Sequence, residues 1–262
     1  MFPCDRAHAD EGLKSSINLP EVLGDQDWTH STSPSKTAFN KLTDYEGHPV
    51  GTHRGARFAR GLIGCVVAFE SRAVVHGYPW KDLGQNAVVC DLGSGVGTMS
   101  MELAKEHPNL QFVLHDTPQR LKQAKEEVWP AALPSALAEN RVEFIPINFM
   151  TTPPAAGCDV YYMKNIMHAW SDDAPAAKVL SNVRRAMGPH SRVLLPPEPL
   201  LANYGSGRIR QYYLDMALMN LINGKARTLP GYVKLGESAG LEFVKVWDLG
   251  ETSVIEYRLL GR

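Results

Sequence analysis

Apolar and polar positions follow two rhythms along this chain. From Ala87 onward, short runs rich in Val, Ile, Leu, Phe and Tyr alternate with segments whose apolar residues return at every third or fourth position. The first pattern predicts buried strands and the second amphipathic helices. AVVCDLG (87–93) reads as a strand, followed by a Gly-rich turn and a helix to about His107; QFVLHD (111–116) is the next strand, followed by a helix from Pro118 to about Trp129. RVEFIPI (141–147), CDVYYMK (158–164) and SRVLLPPE (191–198) continue the series, and LEFVKVWDL and TSVIEYRLL close it. One helix opens near Ser171, Asp172 and Asp173, with acids at its positive end. It stops at Arg184 and Arg185, with Gly188 and Pro189 just beyond, a combination of last-turn cations, left-handed cap and breaker. A further helix covers RIRQYYLDMALMNLI (208–222). Strands alternating with helices predict an α/β fold, a mostly parallel sheet with helices on both faces.

Upstream the rhythm changes. Residues 1–52 are rich in Ser, Thr, Pro, Asp and Gly without sustained periodicity, and read as an irregular N-terminal segment whose first 35 or so residues are expected to be mobile. From His53 to His76, Phe58, Leu62, Val66, Phe69, Ala73 and His76 recur at helical spacing, so the main domain is placed at 53–262. Composition narrows the partners. With 27 Lys+Arg against 28 Asp+Glu and a formal net charge of −1, no clustered cationic excess predicts binding to nucleic acid or anionic lipid. A small molecule is the expected partner. At 44% hydrophobic residues a sizeable core is available. The four cysteines lack CxxC spacing, Asp5, Arg6, Asp10 and Glu11 interrupt any signal peptide, and the longest apolar run, 61–69, is about half a membrane span. A cytoplasmic protein without metal ligands or a membrane segment is expected.

The stretch VVCDLGSGVGTMSMELAKEHPNLQFVLHD carries the first chemistry. Gly93, Gly95 and Gly97 form GxGxG directly between a strand and a helix, where missing side chains let a ligand approach backbone N–H groups. Asp116, nineteen residues after Gly97, ends the next strand, placed to accept hydrogen bonds from ribose hydroxyls. A dinucleotide fingerprint would read GxGxxG; here the motif is GSGVGT, with Asp91 two residues before the first Gly. That resembles the first motif of S-adenosylmethionine-dependent methyltransferases. The resemblance implies S-adenosylmethionine as cofactor, its amino-acid end over the Gly loop and its ribose on the acid.

The stretch DVYYMKNIMHAWSDDAPAAKVLSNVRRAMGPHSRVLLPPEPL is similar to the LHDWSDE region of class I small-molecule O-methyltransferases, the plant and fungal caffeic acid and flavonoid type. The similarity runs from about Thr37 to the C-terminus. It implies a Rossmann-like seven-stranded sheet with its last strand antiparallel. By residue it implies His168 as general base, Glu198 as the carboxylate flanking it, Phe149 against adenine, and Asn148 and Lys164 near the cofactor. Trp170, Tyr212, Met216, Met219 and Asn220 become candidates for the acceptor pocket, although a Met and Tyr stripe also fits a helix core. An imidazole that removes a phenol proton generates the nucleophile for attack on a sulfonium methyl.

Several positions depart from the family. Ala169 stands where an Asp usually follows the His, Ala226 in GKART stands where GKERT has a Glu, and Asn148 replaces an Asp. Asn still accepts a hydrogen bond, but the base keeps one carboxylate partner. Most of the family's N-terminal dimerisation domain is also absent from this sequence, so 1–52 reads as its remnant and the assembly as a monomer or weak homodimer. The leading expectation is a metal-independent O-methyltransferase acting on a phenolic or hydroxylated small molecule in secondary metabolism. The alternative is a cofactor-binding protein of the same fold that does not transfer methyl, either a pericyclase-like isomerase or a catalytically weak partner subunit.

Overall fold

A computed structural model describes residues 13–43, 71–196, 200–201, 209–250 and 252–261. In chain order the helices are α1 (Lys14–Ile17), α2 (Leu19–Gly24), α3 (Ala38–Thr43), α4 (Ser71–Gly77), α5 (Thr98–Glu106), α6 (Pro118–Gln123), α7 (Trp129–Ala132), α8 (Pro134–Ala138), α9 (Asp173–Ala186), α10 (Ile209–Ile222) and α11 (Leu229–Ser238). The strands are β1 (Ala87–Leu92), β2 (Leu110–His115), β3 (Val142–Phe144), β4 (Val160–Tyr162), β5 (Arg192–Leu195), β6 (Leu200–Leu201), β7 (Arg227–Thr228), β8 (Leu241–Asp248) and β9 (Ser253–Leu259). Two compact units emerge. One draws on Phe69–Ile166, Ala174–Glu198 and Tyr232–Arg262, the other on Met1–Ala68, Met167–Asp173 and Pro199–Gly231.

The first unit is a seven-stranded sheet in the order β3-β2-β1-β4-β5-β9-β8. β1 pairs in parallel with β2 and β4, β2 with β3, and β4 with β5, whereas β9 runs antiparallel to both β5 and β8. Five of the six residues in each of β1 and β2 are buried. Burial of successive residues means that both faces are covered, which is why AVVCDL and LQFVLH read as continuous apolar runs without alternation. Helix α9 covers the sheet with a stripe of Ala176, Val179, Leu180, Val183 and Ala186, and each large side chain buried there contributes about 1.5–3 kcal/mol. Trp80, Trp129, Tyr161, Tyr162, Tyr232 and Tyr257 are the bulkiest fully buried residues of the unit.

The expected helix from Pro118 does not end at Trp129. It passes through a π-helical turn at Ala124–Val128 and continues as α7. The widened turn shifts the register just before Trp129, whose ring is fully buried. Strands β3 and β4 are also shorter than the apolar runs that contain them.

The second unit corrects the reading of the N-terminal segment as irregular. Residues 14–24 and 38–43 are helical, in pieces too short to show a periodicity of their own. At α3, Thr37 Oγ1 accepts the Asn40 N–H at 3.2 Å while Asn40 Oδ1 accepts the Thr37 N–H at 3.1 Å, a capping box with Asn in the place of Glu. Phe39 is 1% exposed, so tertiary burial stabilises what local sequence does not announce. The pairing of β6 with β7 and the helix α11, which begins Leu-Pro-Gly, were not expected from sequence. Of the helix expected over 53–76, only Ser71–Gly77 falls among the described residues; the remainder lies outside them, as does Glu198. Among the described residues no helix is long and apolar enough to cross a membrane.

Candidate active site

Strand β1 ends where the chain must turn away from the sheet, and the glycines make that turn. Gly93, Gly95 and Gly97 have φ of +69°, +61° and +79°, a region that a side chain strains. The N–H groups of Gly93 and Ser94 both donate to the His115 carbonyl, at 2.8 and 3.2 Å, which ties the start of the turn to the end of β2. Space decides what each glycine does. A Cβ on Gly97 would lie 2.7 Å from Leu114 Cδ1 and 2.8 Å from Trp129 Nε1, and one on Gly93 would strike Ile166. On Gly95 it would meet nothing within 4 Å. The outer glycines therefore serve close packing, and the middle one leaves the turn open.

The Gly95 N–H donates to Asp116 Oδ2 at 2.8 Å, and the Thr117 N–H donates to Asp116 Oδ1 at 2.6 Å. Each carboxylate oxygen keeps capacity for a further bond, so Asp116 can receive a vicinal diol while staying fixed against the turn. Phe149, half-buried, sets its ring edge 3.8 Å from the position a Gly93 Cβ would take. An open glycine, an oriented carboxylate and an adjacent ring fit a nucleoside at the carboxyl ends of the strands, where open parallel sheets bind ligands. Asn148 is exposed, and its Oδ1 accepts the Met150 N–H at 3.0 Å, closing a local turn.

Below the turn, Asp91 is 3% exposed. Burial pushes its pKa up to about 7; the Ser100 hydroxyl, donating at 2.6 Å, and the Lys164 charge oppose that rise, whereas Asp116 adds to it. Two supports of this region were not legible in sequence. Ser100 holds the Asp91 carboxylate, and Trp129 Nε1 donates to the Val96 carbonyl at 3.0 Å, anchoring the turn from α7. His115 is buried, with Nδ1 2.7 Å from the Ile145 carbonyl and Nε2 3.0 Å from the Ala155 N–H. That pairing requires the neutral Nδ1–H tautomer, and burial lowers the His115 pKa below its ordinary 6.5.

His168 lies in the second unit, in a 3-10 turn over Met167–Ala169. Trp170, half-buried, follows it directly. The segment 223–227 holds this turn. Lys225 N–H donates to the His168 carbonyl at 3.0 Å, and Ser171 N–H donates to the Asn223 carbonyl at 3.1 Å. Gly224 passes so close that a Cβ there would collide with the His168 carbonyl oxygen. The buried Arg227 guanidinium donates to the Met167 carbonyl at 2.7 Å, the Trp170 carbonyl at 3.0 Å and Asp173 Oδ1 at 2.9 Å. Burial alone would raise the Asp173 pKa, but hydrogen bonds from Arg227 and Lys225 outweigh it and hold the carboxyl below its ordinary value. Ala226, at the position of the missing Glu, is buried, and its N–H donates to Asp215 Oδ1 at 2.6 Å.

On α10 the residues expected to line an acceptor pocket do not share one environment. Tyr212 and Met216 are 39% and 47% exposed, which removes the plain core reading for both. Asn220 is buried, its Nδ2 donating to Ser16 Oγ at 2.8 Å while its Oδ1 has no hydrogen-bond partner among the described residues. Met219 is half-buried beside it.

Residues 55–242 match the O-methyltransferase domain family. 3-O-methyltransferase 2 of Phanerochaete chrysosporium is 35% identical over 260 residues, which cover 90% of this chain and 58% of the relative. The chain thus spans less than two thirds of that relative's length. Among solved structures, one described as a pericyclic reaction enzyme superposes with a TM-score of 0.80 at 23% identity, covering 98% of this chain and 68% of its own. LepI in complex with SAM gives 0.78 at 23% identity, with the same coverage of both chains. At these identities the structural likeness concerns the fold.

Proposed function

The chain belongs to the O-methyltransferase domain family, and from that premise we propose that it moves a methyl group from S-adenosylmethionine to a hydroxyl of a phenolic or otherwise hydroxylated small molecule in secondary metabolism. The observation that carries the reading is Asp116 bonded to the N–H of an open Gly95. A carboxylate fixed in that way suits a ribose, and an uncrowded glycine admits the amino-acid end of the ligand. When bound, S-adenosylmethionine supplies an electrophilic methyl on sulfur. Asp116 would hold the ribose hydroxyls, Phe149 would cover the adenine, Asn148 and Lys164 would lie near the ligand, and the turn from Gly93 to Gly97 leaves room for the rest.

Proton removal needs a base. His168 would take the acceptor's hydroxyl proton and leave a phenolate as the nucleophile; Glu198 would stabilise the imidazolium, and Trp170, Tyr212, Met216, Met219 and Asn220 would contact the acceptor. A positioned base of this kind contributes roughly 10²–10⁴ in rate. The experiment is incubation of the protein with methyl-labelled S-adenosylmethionine and a panel of phenols, followed by mass spectrometry. Label on an acceptor oxygen is expected. Tight binding of S-adenosylhomocysteine with no labelled product from any phenol would sink the transfer reading. A specific feature favours a second reading, a protein of this fold that rearranges its substrate without methylation: Ala169 and the buried Ala226 leave the base with fewer carboxylates than the family pattern. Substrate conversion that persists with S-adenosylhomocysteine would establish it.

A further inference from the structure

We propose that Arg227 is the positioning residue of the catalytic base, fixing the His168 turn through its backbone carbonyls; the inference rests on the assignment of His168 as the base.

A three-residue 3-10 turn cannot satisfy its own carbonyls. Here the partners come from one short segment nearly sixty residues further along the chain. Arg227 covers the carbonyls of Met167 and Trp170, which flank His168 and Ala169, and the Lys225 N–H covers that of His168. The direction in which the His168 side chain leaves the backbone is set by these three bonds, because rotating the 167–168, 168–169 or 170–171 peptide plane breaks one of them. Arg suits the task better than any other cation. Its planar guanidinium presents several donors in a fixed fork, and here that fork spans two carbonyls and Asp173 Oδ1 together. The Arg227 side chain is 3% exposed while Asp173 keeps 57% of its own exposure, so the charge that orders the turn is itself neutralised from its outer side. Buried arginine without such a partner would be strongly unfavourable. The rest of the segment is shaped for the same end: Gly224 permits the close approach to His168, and Asp215 holds the Ala226 N–H, so that Arg227 departs from an anchored backbone.

Lys at 227 can keep the ion pair with Asp173 but cannot reproduce the fork. Asn at 173 removes the charge but leaves both carbonyl bonds. The test therefore compares Arg227→Lys, Arg227→Met and Asp173→Asn in the full chain, with three readouts. Hydrogen exchange of the amides in 167–173 should quicken most in the two Arg227 variants and less in Asp173→Asn, which loses the neutralising charge but keeps both carbonyl bonds. Affinity for S-adenosylhomocysteine should stay within about twofold in all three, which certifies folding of the sheet unit. Turnover at pH 7 should fall about 10²-fold in Arg227→Lys, the order expected when a reacting group is misplaced by an ångström, with the KM for the methyl donor unchanged. At pH 9, with an acidic nitrophenol that solvent has already ionised, most of that loss should vanish, since a misplaced base no longer matters.

Should Arg227→Met fail to fold, Arg227→Lys carries the comparison alone. Equal losses at pH 7 and pH 9, or full turnover in Arg227→Lys, would overturn the positioning role. If the unmodified protein transfers no methyl to any acceptor, the transfer reading fails on that result, and unchanged exchange over 167–173 in both Arg227 variants would separately overturn the inference.

Discussion

The turn from Gly93 to Gly97 and the turn from Met167 to Ala169 are both short reversals assigned to chemistry, and they are held by opposite means. The glycine turn is held from within and from the next strand: three left-handed glycines, bonds to the His115 carbonyl, and Asp116 just after it. The histidine turn carries almost none of its own restraint. Its carbonyls are satisfied by Lys225 and Arg227, across separations of 57 to 60 residues for the Arg227 bonds. A turn built from backbone conformation can be read locally, whereas a turn built by a distant side chain cannot. The same contrast predicts different failure. Damage to the glycine turn strains the fold, and damage around the histidine turn misdirects a side chain while leaving the sheet intact.

Five substitutions test this contrast, the largest effect first. His168→Ala should lower turnover by roughly 10²–10⁴ with little change in the denaturant midpoint. Loss of stability together with activity would return the residue to a structural role. Gly97→Ala should destabilise by about 2–5 kcal/mol, combining left-handed strain with a Cβ 2.7 Å from Leu114. Gly95→Ala should lose only about 1–2 kcal/mol and yet weaken S-adenosylhomocysteine binding more, because its methyl enters the open side. Equal denaturation curves for the two alanines would break the distinction between packing and opening. Trp129→Phe keeps an aromatic ring but leaves the Val96 carbonyl without its donor, a loss of about 1–3 kcal/mol that should weaken cofactor binding and leave exchange at 167–173 as it was.

The smallest effect concerns pH. Asp91 has a folded pKa raised from 3.8 to about 7, so the native state retains a proton that the unfolded chain releases, and this contribution is lost as pH rises through that interval. Asp91→Asn, which still accepts the Ser100 bond, should gain in stability relative to the unmodified protein as pH climbs from about 4 to about 7, then level off. His115 works in the other direction. Its lowered pKa gives stability that is present above 6.5 and lost as pH falls through the folded value. Urea midpoints across this range in both proteins would check the two signs, and a flat difference for Asp91→Asn would contradict the burial argument.

What sequence made legible follows the same division. β1, the glycine turn, β2 and Asp116 lie within thirty residues, and their order alone marked the turn and the carboxylate that meet there. Helix α9 was equally clear, since its acidic start and its Arg184, Arg185 and Gly188 ending are local signals. The supports were not. Ser100 is one hydroxyl on a helix face, Trp129 reads as any core aromatic, and Arg227 draws no notice until its carbonyl partners are known. The helices of 14–43 escaped notice because each is a turn or two long and owes its stability to burial of residues such as Phe39. Ala226 was read for the carboxylate it lacks, while its neighbour Arg227 holds the contacts.

Strand β8 touches the seven-stranded sheet only through β9, which lies between it and β5. Sheet growth therefore cannot follow the order of synthesis. A nascent chain that has exposed everything up to Asp248 lacks β9, the strand that β8 pairs with, and β5 keeps an open border until residues 253–259 emerge. The two strands are joined by only four residues, so their hairpin closes far more cheaply than the β5–β9 pairing, and the natural order of assembly is hairpin first, docking second. The parallel half of the sheet, with its glycine turn and Asp116, can mature beforehand, leaving one late antiparallel seam whose closure seals the sheet.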